Sequence, residues 1–294
     1  MMRAWGLIAA LSMMMCAAAP VSAQQQPRDP FNGQFGAFEI APTPSDAARL
    51  AKLMGDALDA LEPQRPGVQD VYLIAASFWG DPVFEREVTQ AEAILREHLG
   101  VASGRSILLS AGGNGQRNYP AATPDNFAAA IGQVGSLIDP NEDLVVVFVT
   151  THGQSDGTAA MREHNRMWAG LRPVHLGVML SQANIRNRVV IVSACFSGAF
   201  IAPLASDTTI VMAAAAPDRS SFGCQPQNEW TFFGDAYFNR SVRNGGDMIG
   251  AFDDARRLIA QWEREQNLTP PSNPQIFVGP RAATMLRRAE RAAR

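Results

Sequence analysis

The sequence predicts an α/β domain built on a mostly parallel, doubly wound sheet. Short unbroken apolar runs recur at Val71–Ala76, Leu144–Thr150 and Val189–Ser193, and a run without polar interruption suits a strand buried on both faces. Segments of helical periodicity separate these runs, the alternation of a parallel sheet covered by helices on both sides. The composition agrees: 294 residues, 47% apolar and 18% charged, describe an ordinary globular chain and exclude collagen, coiled coil and wholesale disorder.

The elements follow in order. Residues 24–42 are rich in Gln, Pro and Gly and read as a leader. Ser45 is placed to cap a helix running to Leu61, with Leu50, Leu53, Met54, Ala57 and Leu58 at helical spacing. Pro63 and Pro66-Gly67 end it, and the first apolar run follows. Residues 84–99 form an amphipathic helix (Phe84, Val88, Ala91, Ile94, Leu95, Leu99). Ser106–Leu109 reads as a strand, Gly112-Gly113-Asn114-Gly115 as a loop, and Asp125 starts a helix to Ile138. The turn Asp139-Pro140-Asn141 precedes the strongest strand, Leu144–Thr150. Residues 154–173 are polar and Gly-rich without periodicity, and read as an active-site loop. A helix over 174–185, strands at 189–193 and 209–213, helices over 230–243 and 247–266, a strand at 275–278 and an Arg-rich helical tail over 281–294 complete the chain. That tail reads as a solvated helix face.

Before the fold begins, residues 1–23 have the make-up of an export signal. Arg3 supplies the positive start, Trp5–Ala19 the apolar run, and Val21-Ser22-Ala23 a small-x-small cleavage site. The expectation is a cleaved signal peptide, hence a periplasmic or secreted protein without stable membrane insertion. The domain division is then 1–23 signal, 24–67 leader and helix, 68–280 main domain, and 281–294 basic terminal helix. A formal charge of -3 lacks the basic face that nucleic acid demands. Three cysteines are too few for a disulfide scaffold. His98, His164 and His175 show no metal-ligand spacing among themselves or with the cysteines, and the Gly112–Gly115 loop lacks the Lys-Ser/Thr of a phosphate-binding loop. No metal or cofactor is expected.

In a doubly wound sheet, ligands sit beyond the carboxyl ends of the strands. One strong strand there runs into Thr151-His152-Gly153, the next into Ala194-Cys195-Phe196-Ser197-Gly198. Adjacent parallel strands bring His152 and Cys195 to one edge. Imidazole is the base suited to activate a thiol near neutral pH, and the backbone amides of Gly153 and Cys195 can face a developing oxyanion. Other readings stand beside this one. A cysteine after an apolar strand is often a small packing residue, such a histidine can be structural, and Cys195 and Cys224 could form a bridge.

The pair Thr-x-His-Gly and Ala-Cys-x-Ser-Gly resembles the legumain (asparaginyl endopeptidase) family of cysteine peptidases, within the wider caspase-like fold. Downstream, Ala214-Ala215-Ala216-Pro217-Asp218-Arg219-Ser220-Ser221-Phe222-Gly223-Cys224 and Phe232-Phe233-Gly234-Asp235 are similar to the family's next blocks. The resemblance spans roughly residues 68–280 and is nearest to the bacterial secreted branch. It implies a three-layer, mostly parallel sheet with helices on both faces. It implies Cys195 as nucleophile, His152 as general base and acid, and an oxyanion hole from the Gly153 and Cys195 amides.

The chain also departs from the family pattern. Where the family often supports its histidine with an Asn beyond the first strand, this chain reads Ser77-Phe78-Trp79-Gly80-Asp81-Pro82, leaving Asp81 or a backbone carbonyl for that role. The family's Arg-His pair is replaced by Phe84-Glu85, with Arg86 nearby, and Ser193 stands where the family has an acid. Ser193, Ser220, Ser221 and Asp235 remain as substrate-binding candidates. Ser220 could equally cap a turn and Asp235 a helix. Asparagine specificity is therefore not carried over; one remaining carboxylate, Asp235, would favour a basic residue at P1, unless Arg86 neutralised it. The implied activity is endopeptidase cleavage of a peptide or protein substrate through a Cys–His dyad and an acyl-enzyme. Interception of that acyl-enzyme by an amine would make a transpeptidase or ligase, and loss of chemistry would leave a caspase-fold binding module. The sequence is silent on oligomeric state.

Overall fold

The computed structural model describes residues 43–112, 118–163 and 168–294. The signal sequence and leader, His164 and most of the Gly112–Gly115 loop lie outside the described residues.

The first helix, α1 (Pro44–Asp59), begins one residue before Ser45: Thr43 is the cap, its Oγ1 accepting from the Asp46 amide, and Pro44 occupies the first turn. Then come β1 (Val71–Ser77), α2 (Pro82–Leu99), β2 (Ser106–Ser110), α3 (Pro124–Leu137) and β3 (Leu144–Thr150). Thr123 caps α3 through the Asn126 amide. A two-stranded hairpin, β4 (Ala159–Arg162) and β5 (Trp168–Leu171), precedes α4 (Pro173–Gln182) and β6 (Arg188–Ser193). A 3-10 turn over Ser197–Phe200 leads into the short α5 (Ile201–Leu204) and β7 (Thr209–Ala213). Next are one turn of α6 (Phe232–Gly234), a π-helix over Asp235–Val242, α7 (Met248–Glu265), β8 (Gln275–Val278) and α8 (Pro280–Ala292).

The main sheet has six strands in the order β2-β1-β3-β6-β7-β8, all parallel except β8, which runs antiparallel along the edge. Every residue of β1 and β3 is buried, as unbroken apolar runs require. Side chains alternate between two cores. Leu73, Val146, Phe148, Ile191 and Met212 pack under α2, the π-helix, α7 and α8; Tyr72, Ile74, Val145, Val147, Val190 and Val192 pack under α1, α3 and α4. Three layers result. The Arg-rich tail is thus amphipathic, burying Ala282, Leu286 and Ala289.

Two readings are corrected. The segment 154–173 is not wholly irregular, because β4 and β5 pair across it; strands of four residues are too short for an alternating pattern to show. Residues 230–243 are not one α-helix. After α6 the chain widens to a π-helix, where the Arg243 amide reaches back five residues to the Phe238 carbonyl and Ser241 Oγ to that of Ala236. Apolar spacing does not distinguish the two windings.

Candidate active site

Strands β3 and β6 are neighbours, and their ladder ends on the pair Thr150–Ser193. One more bond continues it, from the Thr151 amide to the Ser193 carbonyl at 3.1 Å. Two residues beyond that pair, on each strand, stand His152 and Cys195. The histidine backbone is pinned from the other side as well, its carbonyl accepting from the Ala160 amide at 2.9 Å on β4. Thr151 Oγ1 donates to the Ala160 carbonyl at 2.6 Å. The hairpin unseen in the sequence therefore buttresses the candidate base.

The His152 ring is fixed by three neighbours. Its Nε2 lies 3.1 Å from Asp81 Oδ2, with both side chains about one-third exposed. The rings of Trp79 and Phe84 meet it edge-on at 5.0 and 4.9 Å. Asp81 occupies the cap position of α2, yet its carboxylate makes no capping bond and turns to the histidine. Of the two supports the sequence left open, the structure supplies the carboxylate.

At Cys195 the Ser221 amide donates to Sγ at 3.3 Å, and Ser221 Oγ stands 3.6 Å from the sulfur. The residue after it, Phe196, has φ of 59°, a left-handed conformation rare outside glycine. Its amide donates to the Arg219 carbonyl at 2.8 Å, so the sharp turn is tied to the segment that carries Ser220 and Ser221. Gly153 packs directly on the cysteine backbone: a Cβ there would overlap the Cys195 carbonyl oxygen and stand 3.1 Å from its nitrogen. Glycine at 153 is thus a steric requirement of the site.

The remaining candidates are dispersed. Ser193 sits below the edge, buried, its hydroxyl 3.2 Å from that of Thr231. Ser220 is exposed beside Ser221. Asp235 lies on the π-helix with both oxygens engaged, Oδ1 by Asn239 at 2.6 Å and Oδ2 by Arg240 at 3.0 Å. Arg86, the neutraliser the sequence suggested, instead donates to the carbonyls of Pro226 and Asn228. The carboxylate that argued for a basic P1 residue is thus already paired, though by a different arginine.

Cys195 and Cys224 are both free thiols. Burial pushes the Cys224 thiol above its ordinary range, and the nearby acidic groups, Asp81 among them, add to the effect. Among the described residues no group of three or more His, Cys, Asp or Glu could hold a metal, and no helix is long and apolar enough to cross a membrane.

Two residues beside the site escaped the sequence reading, Glu87 and Thr231. The signal for Glu87 was present: it occupies the buried stripe of α2 between Phe84, Val88 and Ala91, where a charge is out of place. Thr231 caps α6 through the Gly234 amide and left no pattern in the sequence.

This architecture is the caspase-like fold. A solved structure of Caspase-1 from Spodoptera frugiperda aligns with a TM-score of 0.50 at 11% identity, covering 72% of this chain and 86% of that one; such a likeness speaks for the fold alone. No curated protein sequence matches. The sequence model of the Peptidase C13 family matches residues 102–274, and the chain belongs to that family, the legumain family of cysteine peptidases.

Proposed function

We propose that this chain is an exported cysteine endopeptidase in which Cys195 attacks the substrate carbonyl and His152 handles the proton. The observation that supports the proposal is the β3–β6 register, whose last pair, Thr150–Ser193, stands two residues before His152 on one strand and Cys195 on the other, with Asp81 on the ring. With Nε2 turned to the carboxylate, Nδ1 is the nitrogen left to exchange a proton with the thiol. The Asp81 carboxylate orients the ring and stabilises the charge it takes up, as the acid does in other nucleophile–imidazole–acid triads.

The steps follow from these roles. Thiolate attack forms the carbon–sulfur bond and pushes the carbonyl electrons onto oxygen. The Gly153 and Cys195 amides receive that oxyanion, a kind of contact whose loss costs about 3–4 kcal/mol of barrier in a well-studied case. Collapse of the intermediate breaks the peptide bond, and His152 protonates the departing amine. Water, deprotonated by the same ring, then attacks the acyl-enzyme and restores the thiol. Ser220 and Ser221, one exposed and one against the sulfur, form the edge along which substrate lies.

The test is a fluorogenic peptide library offered to the chain lacking residues 1–23, in parallel with a thiol-directed activity probe. Cleavage by the wild-type chain, with the probe mapped to Cys195, supports the proposal. Full cleavage by Cys195→Ala would refute it.

A further inference from the structure

Glu87 is fully buried on α2, beneath the strand ends that carry the dyad. Its Oε1 accepts from Thr150 Oγ1 at 2.9 Å, and Thr150 is the last residue of β3, two before His152. Its Oε2 accepts from the Thr231 amide at 2.8 Å. The Thr231 hydroxyl meets that of Ser193, the last residue of β6, two before Cys195. Gly234 packs against the same carboxyl group so closely that a Cβ there would overlap it. One side chain therefore joins four elements, and two of them lead, two residues on, to the candidate base and nucleophile.

We propose that Glu87 is a positioning residue of the peptidase, holding the ends of β3 and β6 and the start of α6 together so that His152 and Cys195 keep their working separation. The proposal rests on the dyad assignment given above. Hydrogen bonds account for the geometry, with Thr150, Thr231 and Ser193 surrounding the carboxyl group. Desolvation raises the carboxyl group's proton affinity against the opposing pull of these bonds. Glutamine, of nearly the same volume, keeps an acceptor for the Thr231 amide and offers a donor that the rotatable Thr150 hydroxyl can accept; alanine offers neither and leaves the Thr231 amide and Thr150 hydroxyl unpaired in the interior.

The experiment compares wild type, Glu87→Gln, Glu87→Ala and Thr150→Val. It measures kcat and KM on the best peptide from the library, and the pH profile of Cys195 alkylation by iodoacetamide. Expected is kcat within about fivefold of wild type for Glu87→Gln, since an amide can keep both contacts. For Glu87→Ala kcat falls about 100-fold or more with KM little changed, the size of effect a misplaced reacting group produces. Its alkylation profile is displaced as well. Thr150→Val keeps the shape, removes one bond of the clamp, and shifts the profile in the same sense; it serves if Glu87→Ala does not fold. The proposal is overturned if both Glu87→Ala and Thr150→Val lose thermal stability alone while kcat and the alkylation profile stay at wild type, or if Glu87→Gln is as impaired as Glu87→Ala. Failure of the dyad assignment looks different: wild type itself would then cleave no peptide, or Cys195→Ala would cleave as well as wild type.

Discussion

Gly153 presses its Cα against the backbone of Cys195, leaving no room between them for even one methyl group. Gly153→Ala must push the two strand ends apart, and overpacking of a close contact costs about 1–3 kcal/mol. The expected result is a lowered melting temperature and at least 100-fold lower kcat/KM, since a misplacement of about 1 Å is enough for such a loss. Circular dichroism and peptide cleavage on the same sample check it; wild-type turnover in Gly153→Ala would remove Gly153 from the oxyanion site.

Cys195→Ala and His152→Ala should each abolish peptide cleavage while the fold persists. Nucleophile and base act as a unit, so the double variant should be no worse than either single one. Near-wild-type turnover in either would dismiss the dyad.

Asp81→Ala should lower kcat by about 10- to 1,000-fold, because His152 loses the group that orients its ring. Asp81→Asn keeps the shape but removes the negative charge and can present an N–H to Nε2, so it should lose activity at least as heavily. Near-wild-type turnover in Asp81→Asn would show that orientation alone, not the negative charge, is what the ring requires.

Thiol titration of the active chain lacking residues 1–23 should find two free sulfhydryls, Cys195 and Cys224. They should differ in rate. Cys224, with its thiol pushed up by burial and nearby charge, should react more slowly with iodoacetamide near neutral pH than an unperturbed thiol. A Cys195–Cys224 disulfide mapped in active protein would contradict the assignment of both.

Glu87 also predicts a pH dependence of stability. Its proton is held more tightly in the folded chain, by desolvation, than in the unfolded one. The favourable contribution is whole below the unfolded carboxyl's ordinary value and is lost as pH rises toward the folded one, at a limiting rate of about 1.4 kcal/mol per pH unit. Glu87→Gln has no such proton to lose. Its stability relative to wild type should therefore rise with pH across that window, as urea unfolding at several pH values would show; a constant difference would mean that Glu87 ionises alike in both states.

The sequence revealed most of this fold because its strands are buried on both faces, and burial leaves unbroken runs such as Leu144–Thr150 that little besides a covered strand produces. The place of His152 and Cys195 just past the ends of β3 and β6 was legible because each follows such a run by two residues. Asp81 was legible only as one option, since a cap residue and a histidine partner look alike until the side chain is seen to turn away from its own helix. The β4–β5 hairpin and the π-helix were not legible: one is too short for periodicity, and the other differs from an α-helix in hydrogen-bond spacing rather than residue type. Asp235 matched a family block by position, but a motif carries no information about Arg240, five residues on, that takes up its charge.

The ladder between β3 and β6 makes the relative position of the segments that carry His152 and Cys195 a discrete quantity. A strand can slip against its neighbour only in whole residues, and a slip of one turns every side chain to the opposite face, so no small drift of the backbone register is open to this pair. The β4–β5 hairpin beyond Ala160, which joins neither strand end, lies outside that constraint. Natural divergence and protein engineering alike can lengthen, trim or exchange that outer part, beyond the His152–Ala160 contact, while His152 and Cys195 stay where two adjacent strands put them.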